Sequence, residues 1–466
     1  MTHFFTRDKT YYKRLLTLAM PVAAQGLISF LASFADHLMV SSLGDSALSG
    51  VYFASQVSIL LQMFTGGIGG VIVILSAQYW GKGDTENIKK IVSIGLRLSA
   101  LVGAALSAVC ILFPHAVIRI FTSDAGVAAE GALYLRTVAF SYMLFCITSG
   151  LLCTMRAVET PGIGMVISLV ALGFDVTLNI VFIYMLRWGV FGAAFSTVIG
   201  RVAECAGVAL YVFRFDKKLK LKLRDLLHFD ATLVKDFVKY GFPLVAGELV
   251  WSVNLMGNSI IFGQFFGPHI STAVSIANTM NSLAYITISG FASAVGIITG
   301  KTVGAGKYGL MKEYARTTQV VFLCIGLLSG GLLTLLRVPF VSLYTGAIGG
   351  ISADAAEEAL RLIRVLSITV IGSSYQAPCL FGLVKSGGDI SFVFKNDTIF
   401  VFCVVLPSAL ISAFLGAPAW VVFLCLKSDQ ILKCFVAVVK INFFYRIKNL
   451  TRETPPGEAE TAVAPA

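Results

Sequence analysis

Runs of apolar residues recur along nearly the whole chain, separated by short polar or basic stretches. Lipid offers backbone N–H and C=O groups no partners, so a crossing segment is either a helix or a strand of a closed barrel, and a helix needs roughly 20 apolar residues. The runs are that long, and they lack the ten-residue alternation of a barrel strand. They predict twelve helical spans, at about 15–40, 46–77, 90–113, 129–153, 161–186, 190–213, 236–262, 270–300, 313–336, 358–382, 391–414 and 417–440. The two longest exceed the bilayer thickness and are expected to tilt or project. The first run follows a basic start (Arg7, Lys9, Lys13, Arg14) and contains Pro21. It is too long for a signal-peptide core of about 7 to 15 residues and is expected to be a retained span.

Composition agrees with this pattern. Hydrophobic residues make up 57% of the 466 positions and charged residues only 13%, against about half and a quarter in soluble chains. The formal charge of +11 could suggest nucleic acid, but the basic residues gather beside the spans, where they act as topology signals. One side receives the N-terminus, Lys82, Lys89 and Lys90, Arg156, the 214–239 loop, Lys301, Lys307 and Lys312, Lys385 and Lys395, and the tail, while Arg119, Arg187 and Arg337 lie on the other. The expectation is a plasma (inner) membrane protein, multi-pass, with both termini cytoplasmic. The nine cysteines all fall inside apolar runs, so small core residues are expected rather than disulfides.

The second half repeats the first. Ala19-Met20-Pro21 lies over Gly241-Phe242-Pro243 and Asp36 over Asn258. After one inserted residue, Leu43-Gly44 lies over Phe266-Gly267, Gly67 over Gly290, Gln78 over Lys301, Gly81 over Gly304 and Gly83 over Gly306. Six spans per half is an even number, so both halves insert the same way, related by an axis along the membrane normal. Transporters use this arrangement to place a binding site between rocking halves. The organisation expected is a cytoplasmic N-terminus (1–14), an N-lobe (15–213), a basic cytoplasmic linker (214–235), a C-lobe (236–440) and a cytoplasmic tail (441–466), whose final stretch with Pro455, Pro456 and Pro465 reads as disordered.

Motifs of soluble chemistry fail on inspection. Thr299-Gly300-Lys301-Thr302 resembles the end of a phosphate-binding loop, but Val295 stands where its first glycine belongs. Gly66-Gly67-Ile68-Gly69-Gly70 lies within span 2 and is read as close helix packing or a flexible point. The five histidines have no zinc spacing and no nucleophile elbow is present, so no enzyme and no cofactor are expected.

An ionised group near the bilayer centre costs at least about 2.5 to 3.5 kcal/mol, so charges within spans carry information. They are Asp36, Asp175, Arg201, Glu204, Glu248 and Asp397. At about 1.5 Å of rise per residue, Asp36 lies roughly 6 Å below the outer end of its span, Thr197 and Asn179 roughly 10 Å, and Asp175 and Arg201 roughly 17 Å. All five could line one cavity open to the outer side. Carboxylate, amide and hydroxyl oxygens suit a hard cation, and two neighbouring carboxylates suit a proton. The plainer alternative pairs Asp175 with Arg201, with Glu204 joining them one turn along. Glu248 precedes Trp251 by one turn, with Asn254 and Asn258 beyond it. A carboxylate beside an aromatic platform could receive an organic cation or serve only in packing. Asp397 lies near the cytoplasmic end of its span and is read as interfacial.

At these residues the chain resembles the multidrug and toxic compound extrusion (MATE) family over about 15–450. The resemblance runs through Pro21, Asp36 and Leu43-Gly44, then Ala77-Gln78-Tyr79-Trp80-Gly81-Lys82-Gly83-Asp84, Gly192-Ala193-Ala194 with Thr197, and Pro243, Glu248 and Trp251. Lys385-Ser386-Gly387-Gly388-Asp389 and Lys448-Asn449-Leu450-Thr451 complete it. It implies an all-α integral membrane protein, with twelve transmembrane helices in two pseudo-symmetric six-helix lobes around a central cavity. It also implies secondary active efflux of organic, mostly cationic compounds in exchange for Na⁺ or H⁺. Under it the coupling-ion site, possible for Na⁺, comprises Asp36, Asp175, Asn179 and Thr197. The substrate cavity holds Glu248, Trp251, Asn254, Asn258, Arg201 and Glu204. One departure stands out: position 175 is aspartate where the subgroup usually has asparagine, which leaves the ion open between Na⁺ and H⁺. The partners expected are small organic cations and the bilayer, not nucleic acid, and the protein is expected to be a monomer. A lipid-linked saccharide flippase of the same superfamily would need a markedly cationic cavity, whereas the in-span acids outnumber Arg201. A non-transporting receptor would leave the repeat and the buried acids unexplained.

Overall fold

The computed structural model describes all residues except 1–5, 7, 123, 228–229, 267, 346–351 and 453–466. Pro455, Pro456 and Pro465, on which the expectation of a disordered tail rests, lie outside the described residues. The apolar runs form helices longer than a bilayer requires, and they are numbered here by span. They are α1 (Lys9–Ser41), α2 (Asp45–Lys82), α3 (Thr85–Leu112), α4 (Ala125–Ala139 with Tyr142–Ala157), α5 (Gly162–Met185) and α6 (Gly189–Phe215) in the first half. The second half has α7 (Ala231–Phe265), α8 (Pro268–Gly304), α9 (Tyr308–Thr345), α10 (Ala353–Lys385), α11 (Ile390–Phe414) and α12 (Ala419–Leu426 with Ser428–Phe443). Of the stretch expected to link the halves, 216–230 lies between the helices, with a single 3₁₀ turn at Leu223–Leu227.

Several helices depart from a straight α-helix. α4 bends by 51° between its two pieces, where Ser107 of α3 donates to the Ala139 carbonyl and Ser141 to Val138 O. Side chains inserted into a helix's hydrogen-bond ladder kink it. α5 and α11 widen to π geometry over Ile180–Met185 and Phe400–Val405. These are the fifth helices of the two halves, and π geometry also occurs at Tyr211–Phe215 of α6 and Pro378–Lys385 of α10. α12, expected to be continuous, is broken at Lys427, whose φ of −107° and ψ of 4° leave the helical region.

The repeat survives as contact symmetry. A β-carbon on Gly81 of α2 would strike the Lys301 carbonyl of α8, and one on Gly304 of α8 would strike the Gln78 carbonyl of α2. In the same way a β-carbon on Gly67 would come within 2.7 Å of Val245 of α7, and one on its partner Gly290 within 2.9 Å of Ala23 of α1. Contacts exchanged between equivalent positions are the signature of a two-fold axis. Because lipid tails are as apolar as the helices, close packing through small residues is what binds such faces. Gly69 likewise admits Cys153 of α4, so the glycine run in α2 serves packing. All nine cysteines are free, and Cys324 and Cys403 are exposed rather than core.

The cores show where the halves meet. One cluster around Tyr11, Leu15, Val295 and Leu380 joins α1 to the second half, and another around Ile72, Ile91 and Phe237 joins α7 to α2 and α3. Both lie toward the basic side. Toward the opposite side each half keeps its own core, around Val51 and Leu135 or around Ile261 and Phe423. The molecule is therefore closed on the basic side and parted on the other. Polar ties reinforce the closure. Glu159 accepts from Arg14 at 2.8 Å and from Lys301 of the second half at 2.9 Å. Burial pushes its carboxyl up, but the Lys301 hydrogen bond and the Arg14 charge outweigh this and hold it below the usual carboxylate range. The segment after α12 then crosses to the first half. Leu450 N donates to Gln78 Oε1 at 2.7 Å, and Arg452 meets Asp236 at 2.5 Å.

Candidate functional site: two polar cavities flanking α2

The first-half cavity, about 440 Å³, is bounded by α1, α2, α4, α5 and α6 and takes its polarity from Asp36, Ser168, Asp175, Thr197, Arg201 and Glu204. Helical spacing puts Asp175 and Asn179 on one face of α5, opposite Asp36 of α1. The Asp36 and Asp175 carboxyls face each other within hydrogen-bonding reach. Asn179 donates to Asp36 Oδ1 at 2.7 Å, and its own carbonyl accepts from Ser196 Oγ at 2.5 Å. Thr197 Oγ1 donates to the Ala193 carbonyl at 3.0 Å and lines the cavity. Asp175 Oδ1 is buried without a hydrogen-bond partner. Two facing carboxylates repel, and either a shared proton or a bound cation relieves the repulsion.

The ion-pair alternative fails on geometry. Arg201 stacks over Phe145 at 4.8 Å and donates to Ser141 Oγ at 3.3 Å. Among the described residues no carboxylate oxygen lies within ion-pairing distance of it. Glu204 instead accepts from Ser168 Oγ at 3.0 Å. Gln25 donates to the same Ser168 at 3.4 Å and accepts from Arg156 at 2.7 Å, so a polar chain leads from Glu204 toward the basic side. Sequence reasoning passed over Tyr134, a buried phenol beside Thr197 and Asp36, because aromatic residues are common in apolar runs.

The second-half cavity, about 310 Å³, lies on the other face of α2, with Met63 lining it where Gln62 lines the first. Glu248 and Trp251 are in it, as expected. The Glu248 carboxyl faces Gly66, where a β-carbon would lie 3.8 Å from it, and the Trp251 ring stacks on Tyr285 at 6.2 Å. Asn254 and Asn258 line neither cavity. They lie further along α7, buried among packed helices, with their amide oxygens unpartnered.

Asp397 needs correction. It is not an interfacial group but lines this cavity, 2.8 Å from Lys433, which also meets Asp429 at 3.1 Å. Lys427, Asp429 and Lys433 fall within the expected span 12 but outside the set of in-span charges named from the sequence. They are buried, as is Lys440, so Arg201 is not alone among buried bases. The count of charges in span 12 would have revealed them.

The family model described as MatE matches residues 21–185 and 243–411. The chain is 25% identical to the probable multidrug resistance protein YoeA of Bacillus subtilis over 64% of its own length and 65% of that protein. It is 22% identical to the probable multidrug resistance protein NorM of Halalkalibacterium halodurans over 86% and 87% of the two chains. A solved structure described as the outward-facing conformation of a multidrug resistance MATE family transporter superposes with a TM-score of 0.84. That match covers 94% of this chain and 98% of the other at 18% identity, a likeness of fold. The two matched segments sit on the two halves that the glycine contacts relate, and this chain is a member of the MatE family of multi-span membrane transporters.

Proposed function

We propose that the protein is a secondary active efflux transporter that exports organic, mostly cationic compounds in exchange for Na⁺ or H⁺. The facing pair Asp36 and Asp175, buttressed by Asn179 and Thr197, is the observation that carries this reading. A cation or proton between them relieves a repulsion that the buried site otherwise retains. The relatives' description as multidrug resistance proteins supports export of foreign compounds. With the basic side cytoplasmic by the positive-inside rule, both termini are inside and the parted side faces outward. An ion taken up in the first half and a substrate held beside Glu248 and Trp251 then favour opposite-facing states. That reciprocity makes the ion gradient drive export. The carrier acts as a monomer in the plasma membrane.

A lipid-linked pyrophosphate would need net positive charge. The first-half cavity sets Asp36, Asp175 and Glu204 against Arg201 alone, and Lys433 of the second is neutralised by two aspartates. The test is ethidium efflux in inverted vesicles under separately imposed Na⁺ and H⁺ gradients. Asp36→Asn should insert normally yet lose gradient-driven efflux, and unchanged efflux would sink the assignment.

A further inference from the structure

Lys433 stands in the wall of the second-half cavity with its ammonium between two carboxylates, 2.8 Å from Asp397 and 3.1 Å from Asp429. The break of α12 at Lys427 sets Asp429 one turn before Lys433 at the start of a new helical piece, and Asp397 reaches in from α11. The Lys433 and Asp429 side chains are each only 4% exposed. Two further oxygens in the same wall have no partner. Gln376 Oε1 and Gln430 Oε1 are buried without a hydrogen bond, in residues 7% and 6% exposed. A buried carbonyl oxygen left unpaired costs about 1 to 3 kcal/mol unless something donates to it or coordinates it. Two aspartates, two orphaned amide oxygens and the Trp251–Tyr285 stack compose an environment for a cation with aromatic character. Lys433 is the only cation bonded to that acid pair among the described residues.

We propose that Lys433 is a built-in counter-cation, occupying the place between Asp397 and Asp429 for which the organic cation of a substrate competes. The proposal deepens the efflux reading above and rests on it. A lysine suits the task because its ammonium sits on a flexible four-carbon stem, so it can leave one carboxylate without disturbing the backbone. While it is in place it offsets one of the two acid charges, and the cavity is not a deep trap for any passing cation. When a bulky aromatic cation settles on Trp251 and Tyr285, it takes over Asp397 and Asp429, and the lysine swings aside. The lysine thereby sets selectivity. Small inorganic ions lack the aromatic contacts needed to displace it, whereas lipophilic organic cations have them.

The experiment is ethidium binding to purified protein in detergent, read by fluorescence. Lys433→Gln, checked for monodisperse elution, should bind ethidium about tenfold tighter than the unsubstituted protein. Adding Asp397→Asn to it should remove the gain. Equal or weaker binding by folded Lys433→Gln overturns the proposal. If Lys433→Gln does not fold, Asp429→Asn serves, because it keeps the Asp397–Lys433 pair. It should bind ethidium several-fold more weakly, and unchanged affinity there also overturns the proposal. Absence of ethidium binding in every form, the unsubstituted protein included, overturns the cation-efflux reading itself and this proposal with it.

Discussion

The two cavities draw on corresponding helices of the two halves and partner their acids differently. Each half presents an aspartate from its fifth helix, Asp175 or Asp397, and a base from its sixth, Arg201 or Lys433. In the first half Arg201 is drawn away onto Phe145, and Asp175 is left facing Asp36. In the second half the base is Lys433, clamped between Asp397 and Asp429, and the partner acid on α7 has become Asn258. A pair of acids without a base must recruit a mobile ion, whereas a pair with a tethered base does not. Symmetry therefore supplies the common frame, and the placement of one cation in each half divides the tasks.

The largest effect that could break this comparison belongs to the first half. Asp36→Asn should reduce gradient-driven efflux at least a hundredfold, roughly 3 kcal/mol of coupling, with insertion intact. The mirrored substitutions Asp175→Asn and Asp397→Asn should then differ in kind. The first should change the Na⁺ or H⁺ dependence of efflux, and the second should leave that dependence alone while weakening ethidium binding several-fold. Identical behaviour would dissolve the distinction between the cavities.

Where contacts are mirrored rather than divided, mirrored substitutions should match. Gly81→Ala and Gly304→Ala each push a methyl into the backbone carbonyl of the opposite helix. Each should destabilise the protein by about 1 to 3 kcal/mol, equally within error, as read from thermal unfolding in detergent.

Smaller effects are expected at the basic-side ties. Glu159 is held below its ordinary pKa. Its ionised form therefore stabilises closure fully above the ordinary carboxylate range, and the contribution is lost as pH falls through the lowered value. Glu159→Gln should remove that acid sensitivity, measured by labelling of a cysteine placed on the basic face, with a shift of roughly 1 kcal/mol since Arg14 is partly exposed. Smallest of all, Arg452→Ala breaks a half-exposed ion pair and should leave thermal unfolding nearly unchanged.

The helices were legible because lipid imposes a simple rule: a continuous apolar run long enough to cross must satisfy its own backbone. The repeat was legible because glycines at close crossings tolerate no substitute, and Gly81, Gly304, Gly67 and Gly290 keep their register across the two halves. Asp36, Asp175, Asn179 and Thr197 could be grouped from depth alone, since rise per residue is constant along a helix. What depth does not contain is direction around the axis. Whether Arg201 turns to Asp175 or to Phe145, and whether Asn254 faces a cavity or a packed neighbour, depends on side-chain orientation between helices. The meeting of Lys433 with Asp397 likewise joins α12 to α11, a neighbourhood that no single span reveals. Only the assembled halves decided that one cavity keeps its acids free and the other holds them with a lysine.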